Sequence, residues 1–282
     1  MKHYHFLPLK YGSELLVDAG RIDALENFNL TDEPHTIHFY EILLIDEGNG
    51  SLTQDEEVIA IQPQTMIFTA PGHIRKWSIE QCLKGYALIF DGDFMHSFFS
   101  DPLFLYRFLF FHHYGNKHML ELSAEESNSV HQKMEQVEKE IHSLKADSHH
   151  LLRAFLYEVL ILLHRLYVNS YSLENKTTED PAFYSFRILL EQNYTKYIRV
   201  YEYAGLMNVS TNYLNDLARK NTGMTAGELI RQRILLEAKR LLKYSQTPIS
   251  EIAEKLNFSD PSNFSRFFYQ HVAQTPAQYR TA

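Results

Sequence analysis

The strongest constraint on this chain is a stretch that occurs twice. Val200 to Lys220 reads VYEYAGLMNVSTNYLNDLARK, and Ile249 to Gln270 reads ISEIAEKLNFSDPSNFSRFFYQ. Val200 matches Ile249, Ala204 matches Ala253, Met207 matches Leu256 and Asn208 matches Asn257. After one extra residue in the second copy, Leu214 matches Phe264 and Leu217 matches Phe267. Each copy predicts a short helix with a small Ala, a tight turn and a second helix. The Ala lets two helices cross closely, and Asn at the turn tolerates a left-handed backbone. Apolar residues three apart anchor one face of the second helix inward and leave its other faces polar. Those faces carry Ser210, Thr211, Asn212, Asn215, Arg219 and Lys220 in the first copy, and Ser262, Asn263, Ser265 and Arg266 in the second. Such side chains donate and accept hydrogen bonds, as base edges and phosphates require. A plain helical hairpin would show the same apolar spacing in one copy. Two copies, a spacer of suitable length and a basic local balance favour paired helix-turn-helix units.

The spacer is a helix expected over 225–243, opened by Thr225 with Glu228 at its third position. Its nineteen residues span about 28 Å, and successive major-groove faces of a duplex lie about 34 Å apart. With each motif's own width added, one chain can present two helices one DNA turn apart. From Pro181 onward the pattern is helical: 182–193, 200–207, 210–221, 225–243, 249–256, 261–271 and a last turn after Pro276. Thr211, Asn212, Ser262 and Asn263, at the N-terminal ends of the second helices, are the first candidates for base or phosphate contacts, since helix N-termini favour phosphate. Arg233 and Glu251 are expected to be structural, and Tyr213 to pack. Arg266 fits either a phosphate contact or a packing role.

Charge divides the chain in the same place. Residues 1–175 hold 13 Lys and Arg against 25 Asp and Glu, whereas residues 176–282 hold 14 against 10. An overall charge of −8 therefore hides a mildly basic segment beside an acidic one, which suits a DNA reader joined to a domain that does not bind DNA. The acidic part begins with strand-like runs, Ile42–Ile45, Val58–Ile61, Met66–Thr69 and Tyr86–Phe90. Turns are expected at Gly48-Asn49-Gly50, Asp55-Glu56-Glu57 and Pro71-Gly72. An antiparallel barrel or sandwich follows from that spacing. Ser123 and Glu126 open a helix running to about Leu144, and a second runs from about Ser148 to Tyr171. The resulting division is a domain at 1–171, a polar linker at 172–180 and a helical domain at 181–282. The start, MKHYHFLPLK, lacks a secretion signal, and Leu151–Val168 is too charged to span a bilayer. A single cysteine, Cys82, allows no internal disulfide, so a soluble cytoplasmic protein is expected.

The stretch from Ala204 to Arg280 resembles the AraC-type DNA-binding domain. It does so through NVSTNYLNDLARKNTGMTAGELIRQRILLEAKRLL and PISEIAEKLNFSDPSNFSRFFYQHVAQTPAQYR. That family usually has Gly where Asn257 and Ala273 stand. Asn takes a left-handed backbone easily; Ala273 is less comfortable there, so the final turn is expected to differ. The segment from Pro34 to Trp77, with FYEI, Gly48-Asn49-Gly50 and IQPQTMIFTAPG, is similar to the cupin-like barrel that precedes this domain in many such regulators. The resemblance implies two domains: an N-terminal cupin-like antiparallel β-barrel followed by two helices, and a C-terminal all-α double helix-turn-helix. It also implies a transcription regulator that is not an enzyme and has no cofactor. The implied partners are double-stranded DNA, a second copy paired through helices 124–144 and 148–171, a small-molecule effector, and RNA polymerase.

His35, His38, Glu41 and His73 are the residues to weigh as metal ligands. His35 and His38 are three apart and would face opposite sides of a strand, with Ile37 where a second ligand belongs. No metal site is expected; the alternatives to an effector-controlled regulator are a ligand-independent dimeric regulator, in which the barrel only dimerises, and a metal-dependent cupin enzyme fused to a DNA-binding module. For an effector, His35, Phe39, Phe68, His73 and Trp77 are the candidate pocket residues. Filling the barrel core is an equal reading of each. The run Phe104–Tyr114 either covers the barrel mouth or is core. Leu151, Leu160 and Leu162 lie outside the main apolar stripe of the second helix, as expected of a helix that contacts two things.

Overall fold

The computed structural model describes residues 1–11, 14–24, 30–96, 104–112, 117–173 and 180–281, which divide into two compact units, Met1–Thr177 and Thr178–Ala282. Most of the predicted linker, residues 174–179, lies outside the described residues.

The first unit is built on strands β1 (Lys2–Tyr4), β2 (Val17–Arg21), β3 (His35–Ile37), β4 (Tyr40–Gln54), β5 (Glu57–Ile61), β6 (Thr65–Thr69), β7 (Ile74–Phe90) and β8 (Met119–Glu121). They form one sheet in the order β1-β3-β7-β4-β6-β8, with β2 also on β7 and β5 on β4. Two long strands organise it. The first half of β4 lies between β6 and the second half of β7; its second half lies between β5 and the first half of β7. The register shifts between Ile45 and Gly50, so both strands bend there and roll the sheet. Gly48-Asn49-Gly50 is thus not the expected turn but a bulge inside β4. A glycine with positive φ serves either device. Here φ is +100° at Gly48 and +151° at Gly50, where an added Cβ would stand 2.4 Å from the Ser78 carbonyl oxygen. The turns expected at Asp55 and Pro71-Gly72 are present, with φ +54° at Asp55 and +84° at Gly72.

The expected antiparallel barrel is met in part: the sheet rolls on itself but does not close. Its terminal strands β1 and β8 are three residues each, no ladder among the described residues joins them, and the β1–β3 pair is parallel. One face, with Ile42, Leu44, Met66, Phe68 and Leu88, packs on helices α2 (Ala124–Ile141) and α3 (Ser148–Ser170), preceded by the short α1 (Gly92–His96). The opposite face of the same strands, with Leu43, Ile45, Ile67 and Ala87, meets Leu52, Ile59 and Trp77 inside the roll. The side-chain alternation of a strand produces this double core. Ser123 caps α2 in the predicted capping box with Glu126. Phe104, Phe108, Phe110 and Phe111 belong to the helix-side core; His113 and Tyr114 lie outside the described residues. Of the residues expected on a second face of α3, Leu160 is fully buried in the unit's own core and Leu162 packs at its edge, because the helix also covers that aromatic run. Leu151 and Tyr157 stay exposed. No helix among the described residues is long and apolar enough to cross a membrane.

The second unit is helical: α4 (Pro181–Asn193), α5 (Val200–Leu206), α6 (Thr211–Thr222), α7 (Ala226–Tyr244), α8 (Ile249–Lys255), α9 (Pro261–Val272) and α10 (Pro276–Thr281). The boundaries fall close to those expected because the start signals are local. Asp180 caps α4 ahead of Pro181, Ser210 caps α6, and Thr225 forms a capping box with Glu228.

Candidate nucleic-acid interface

Both helix-turn-helix units use one backbone device. Ala204 and Ala253 are buried at the crossings. The Val209 N–H donates to the Ala204 carbonyl at 2.9 Å, and the Phe258 N–H to the Ala253 carbonyl at 2.9 Å. Asn208 and Asn257 take the intervening left-handed position, with φ +54° and +59°. This is the helix-ending bond that a residue in that conformation allows. Leu214, Leu217 and Ala218 then bury α6, and Phe264 and Phe268 bury α9.

The polar positions are distributed unevenly over these helices. In α6, Ser210, Asn212, Arg219 and Lys220 are exposed and Thr211 is half-buried. Arg219 pairs with Asp216 at 3.1 Å. Asn215 turns partly inward; its Oδ1 is buried without a hydrogen-bond partner among the described residues. In α9, Ser262, Asn263 and Arg266 are exposed and Ser265 is half-buried. Exposure removes the packing role for Arg266. Tyr213, expected to pack, is 47% exposed, since it lies at the edge of the stripe that Leu214, Leu217 and Ala218 bury.

Sequence reasoning missed Asp260, the residue that starts α9. Its carboxylate accepts from the Asn263 N–H at 2.9 Å, so the phosphate-friendly end of this helix already holds an anion. The signal was present as an Asp immediately before a Pro at the first helical position. Ser210 does the same work in α6 without charge, accepting from the Tyr213 N–H at 3.1 Å.

The scaffold behind these faces is tied to α7. Arg233 is buried, pairs with Glu191 at 2.8 Å and Glu237 at 3.2 Å, and lies 3.6 Å over the Tyr194 ring. It is structural, as expected. Burial pushes the Tyr194 hydroxyl pKa up against the nearby guanidinium. Glu251 sits exposed in the first turn of α8, where an acid suits the helix dipole. Ala273 is left-handed after all, with φ +59° and ψ +16°, so the final turn keeps the conformation that Gly223 has at the end of α6.

The pocket candidates of the first unit do not gather in one place. Phe68 stacks on Phe110 with ring centroids 4.2 Å apart, on the helix side of the sheet. Trp77 belongs to the roll interior. Phe39 meets Phe6 edge-on, and His73 meets His118 with centroids 4.9 Å apart. His35 joins a buried network: its Nε2 accepts from Arg75 Nε at 2.8 Å, its Nδ1 donates to the Glu33 carbonyl, and Arg75 is ion-paired with Glu41. Burial and the guanidinium hold the His35 pKa down to about 4, so the ring is neutral. Gln54 and Thr69 hydrogen-bond each other nearby in the sheet at 2.9 Å. His38 is exposed while His35 is buried. No group of three or more His, Cys, Asp or Glu among the described residues is placed to hold a metal ion.

Two family models match, an AraC-like ligand binding domain over residues 28–160 and a helix-turn-helix domain over residues 203–282. The chain belongs to the AraC family. It carries that family's AraC-like ligand binding domain and a helix-turn-helix domain. This AraC-family chain is 23% identical over 250 residues to the transcriptional activator RhaR of Mannheimia succiniciproducens, covering 88% of this chain and 86% of that one. It is 25% identical over 130 residues to the lactose operon transcription activator of Staphylococcus xylosus, and the match covers 46% of either chain, less than half the relative's length. Among solved structures, ToxT of Vibrio cholerae is similar at 17% identity and TM-score 0.42, over 94% of this chain and 97% of that one. The C-terminal domain of the response regulator yesN of Fusobacterium nucleatum matches at 27% identity and TM-score 0.34, over 36% and 99%.

Proposed function

We propose that this AraC-family regulator reads two adjacent major-groove segments with α6 and α9 and is controlled through its first unit by a small molecule. It works in the cytoplasm and carries out no catalysis. The observation that carries this reading is the pair of helix-turn-helix units on either side of α7, whose nineteen residues span about 28 Å. Ser210, Thr211, Asn212, Arg219 and Lys220 supply contacts from the first helix-turn-helix, and Ser262, Asn263 and Arg266 from the second. Selecting binding sites for the full-length chain from random duplexes at two salt concentrations tests it. Two short enriched blocks about one helical turn apart, with affinity falling as salt rises, are expected. A folded protein that enriches nothing would sink it.

The first unit pairs with a second copy through Leu151 and Tyr157 of α3, the exposed apolar residues of that helix, and contacts RNA polymerase at the promoter. Sedimentation of the wild type and of Leu151→Glu/Tyr157→Glu checks the pairing; unchanged mass would remove it. A second reading, a regulator with no effector, is supported by the roll interior, where Leu43, Leu52, Ile59 and Trp77 occupy the space themselves. A thermal-shift panel separates the two: stabilisation by a compound favours effector control, and a flat panel favours the second.

A further inference from the structure

The cap of α9 decides which half of an amide remains available outside the protein. Asn263 Nδ2 donates to Ser259 Oγ at 2.8 Å and to Asp260 Oδ2 at 2.6 Å. The backbone N–H of the same residue donates to the other carboxylate oxygen, Asp260 Oδ1, at 2.9 Å. The two bonds from Nδ2, both within one turn, hold the side chain in one rotamer. They also fix the orientation of the amide, since a carboxylate accepts and cannot donate. A side-chain amide has two donor hydrogens and one acceptor oxygen. Both hydrogens are committed and the residue is exposed, so Asn263 offers Oδ1 alone.

We propose that Asn263 distinguishes amino from keto bases at one position of the DNA site, accepting from cytosine N4 or adenine N6 and rejecting guanine O6 and thymine O4. The proposal rests on the functional reading above and adds a recognition rule to it. A free Asn favours adenine, because it donates to N7 while accepting from N6. With the donor half engaged inside the protein, the preference for adenine over cytosine disappears and the exclusion of keto bases remains. Two facing carbonyl oxygens without a hydrogen between them repel. The same commitment removes Asn263 from phosphate binding, since phosphate oxygens need a donor and Asp260 places a negative charge beside it. Nothing comparable exists in the first unit, where the residue three after the cap is Tyr213.

The test repeats the site selection with full-length wild type, Asn263→Ala, and Ser259→Ala/Asp260→Ser. In the wild type one position of the second block should enrich adenine and cytosine together over guanine and thymine by about five-fold, the order of one net hydrogen bond. Asn263→Ala should flatten that position and no other. The double variant keeps a hydroxyl cap of the kind Ser210 provides, frees the amide, and should narrow the same position to adenine. The proposal is overturned if Asn263→Ala changes no position, if the position it changes holds guanine or thymine in the wild type, or if the double variant leaves adenine and cytosine equally enriched. A wild type that selects no site at all would fail the functional reading instead, a result distinct from a retained site lacking the amino-keto position.

Discussion

In the unit formed by α5 and α6 the second helix starts from a neutral cap, Ser210, whereas in that formed by α8 and α9 it starts from a carboxylate, Asp260. The surrounding charge follows the caps. Residues 199–224 hold three Lys or Arg and two Asp or Glu, and residues 248–274 hold two and three. Their interiors differ too. Aliphatic Leu214 and Leu217 anchor α6; Phe258, Phe264 and Phe268 anchor α9 through ring contacts of 5.4 and 6.0 Å. One backbone pattern thus serves two chemistries. The first unit is suited to supply attraction to the phosphate backbone, which is sequence-blind, and the second to supply discrimination, which needs fixed hydrogen-bonding groups.

The largest effect that could break this comparison concerns how each unit is tied to α7. Arg233 ties α4, which packs on α5 and α6, to α7 through the partly buried Glu191, and pairs with Glu237 of α7 itself. Arg280 ties α10, which packs on α9, to the end of α7 by donating to the Thr247 carbonyl at 2.5 Å and the Leu242 carbonyl at 3.3 Å. Arg233→Ala should cost about 3 kcal/mol in urea unfolding, because the partly buried Glu191 and Glu237 each lose an ion pair and Tyr194 loses the guanidinium over its ring. Arg280→Ala should cost about 1.5 kcal/mol, since only carbonyl bonds are lost. Equal losses would mean that the two anchors are equivalent.

Exchanging the caps comes next. Ser210→Asp should weaken DNA binding about ten-fold at low salt and Asp260→Ser should strengthen it several-fold, both shrinking as salt screens the charge. Titrations at two salt concentrations read this directly, and no asymmetry between the two variants would remove the charge argument. The smallest effect sits at the helix ends. A Cβ at Gly223 would meet nothing within 4 Å, so Gly223→Ala should cost about 1 kcal/mol through its left-handed backbone alone. Ala273→Gly should relieve a strain of about the same size. Thermal unfolding of the pair sharpens the comparison, with midpoints moving in opposite directions.

How much of this was legible beforehand depends on the range of the interactions. The second unit could be read to within a residue or two because Asp180-Pro181, Ser210 and Thr225 with Glu228 act within one helical turn. The left-handed Asn208 and Asn257 were legible for the same reason. The first unit was read only in part. Its central strands showed as apolar runs, but β1, β2, β3 and β8 are short, and their existence depends on distant partners. Gly48-Asn49-Gly50 looked like a hairpin end because local sequence cannot tell a bulge from a turn. Closure of a sheet is the least local property of all, and the expected barrel is met only in part: the sheet rolls but does not close. At the candidate interface, the exposed faces of α6 and α9 followed from helical spacing. The commitment of Asn263 to Ser259 and Asp260 did not, since it required knowing that Asp260 and not Pro261 begins the cap.

Trp77 is the single tryptophan of the chain. It lies 1% exposed inside the roll, and its indole N–H has no hydrogen-bond partner among the described residues. Intrinsic emission excited at the red edge therefore comes from the first unit alone, and from a buried site walled by Leu43, Leu52 and Ile59, with the Arg75 guanidinium 5.7 Å from the ring centroid, it should lie toward the blue. The helical unit is spectrally silent under those conditions. Urea titrations followed by Trp77 would watch the first unit alone, without a label, whereas helical circular dichroism sums the second unit with α2 and α3 of the first. A compound entering the roll with an acceptor for that N–H would announce itself by moving the emission to longer wavelength.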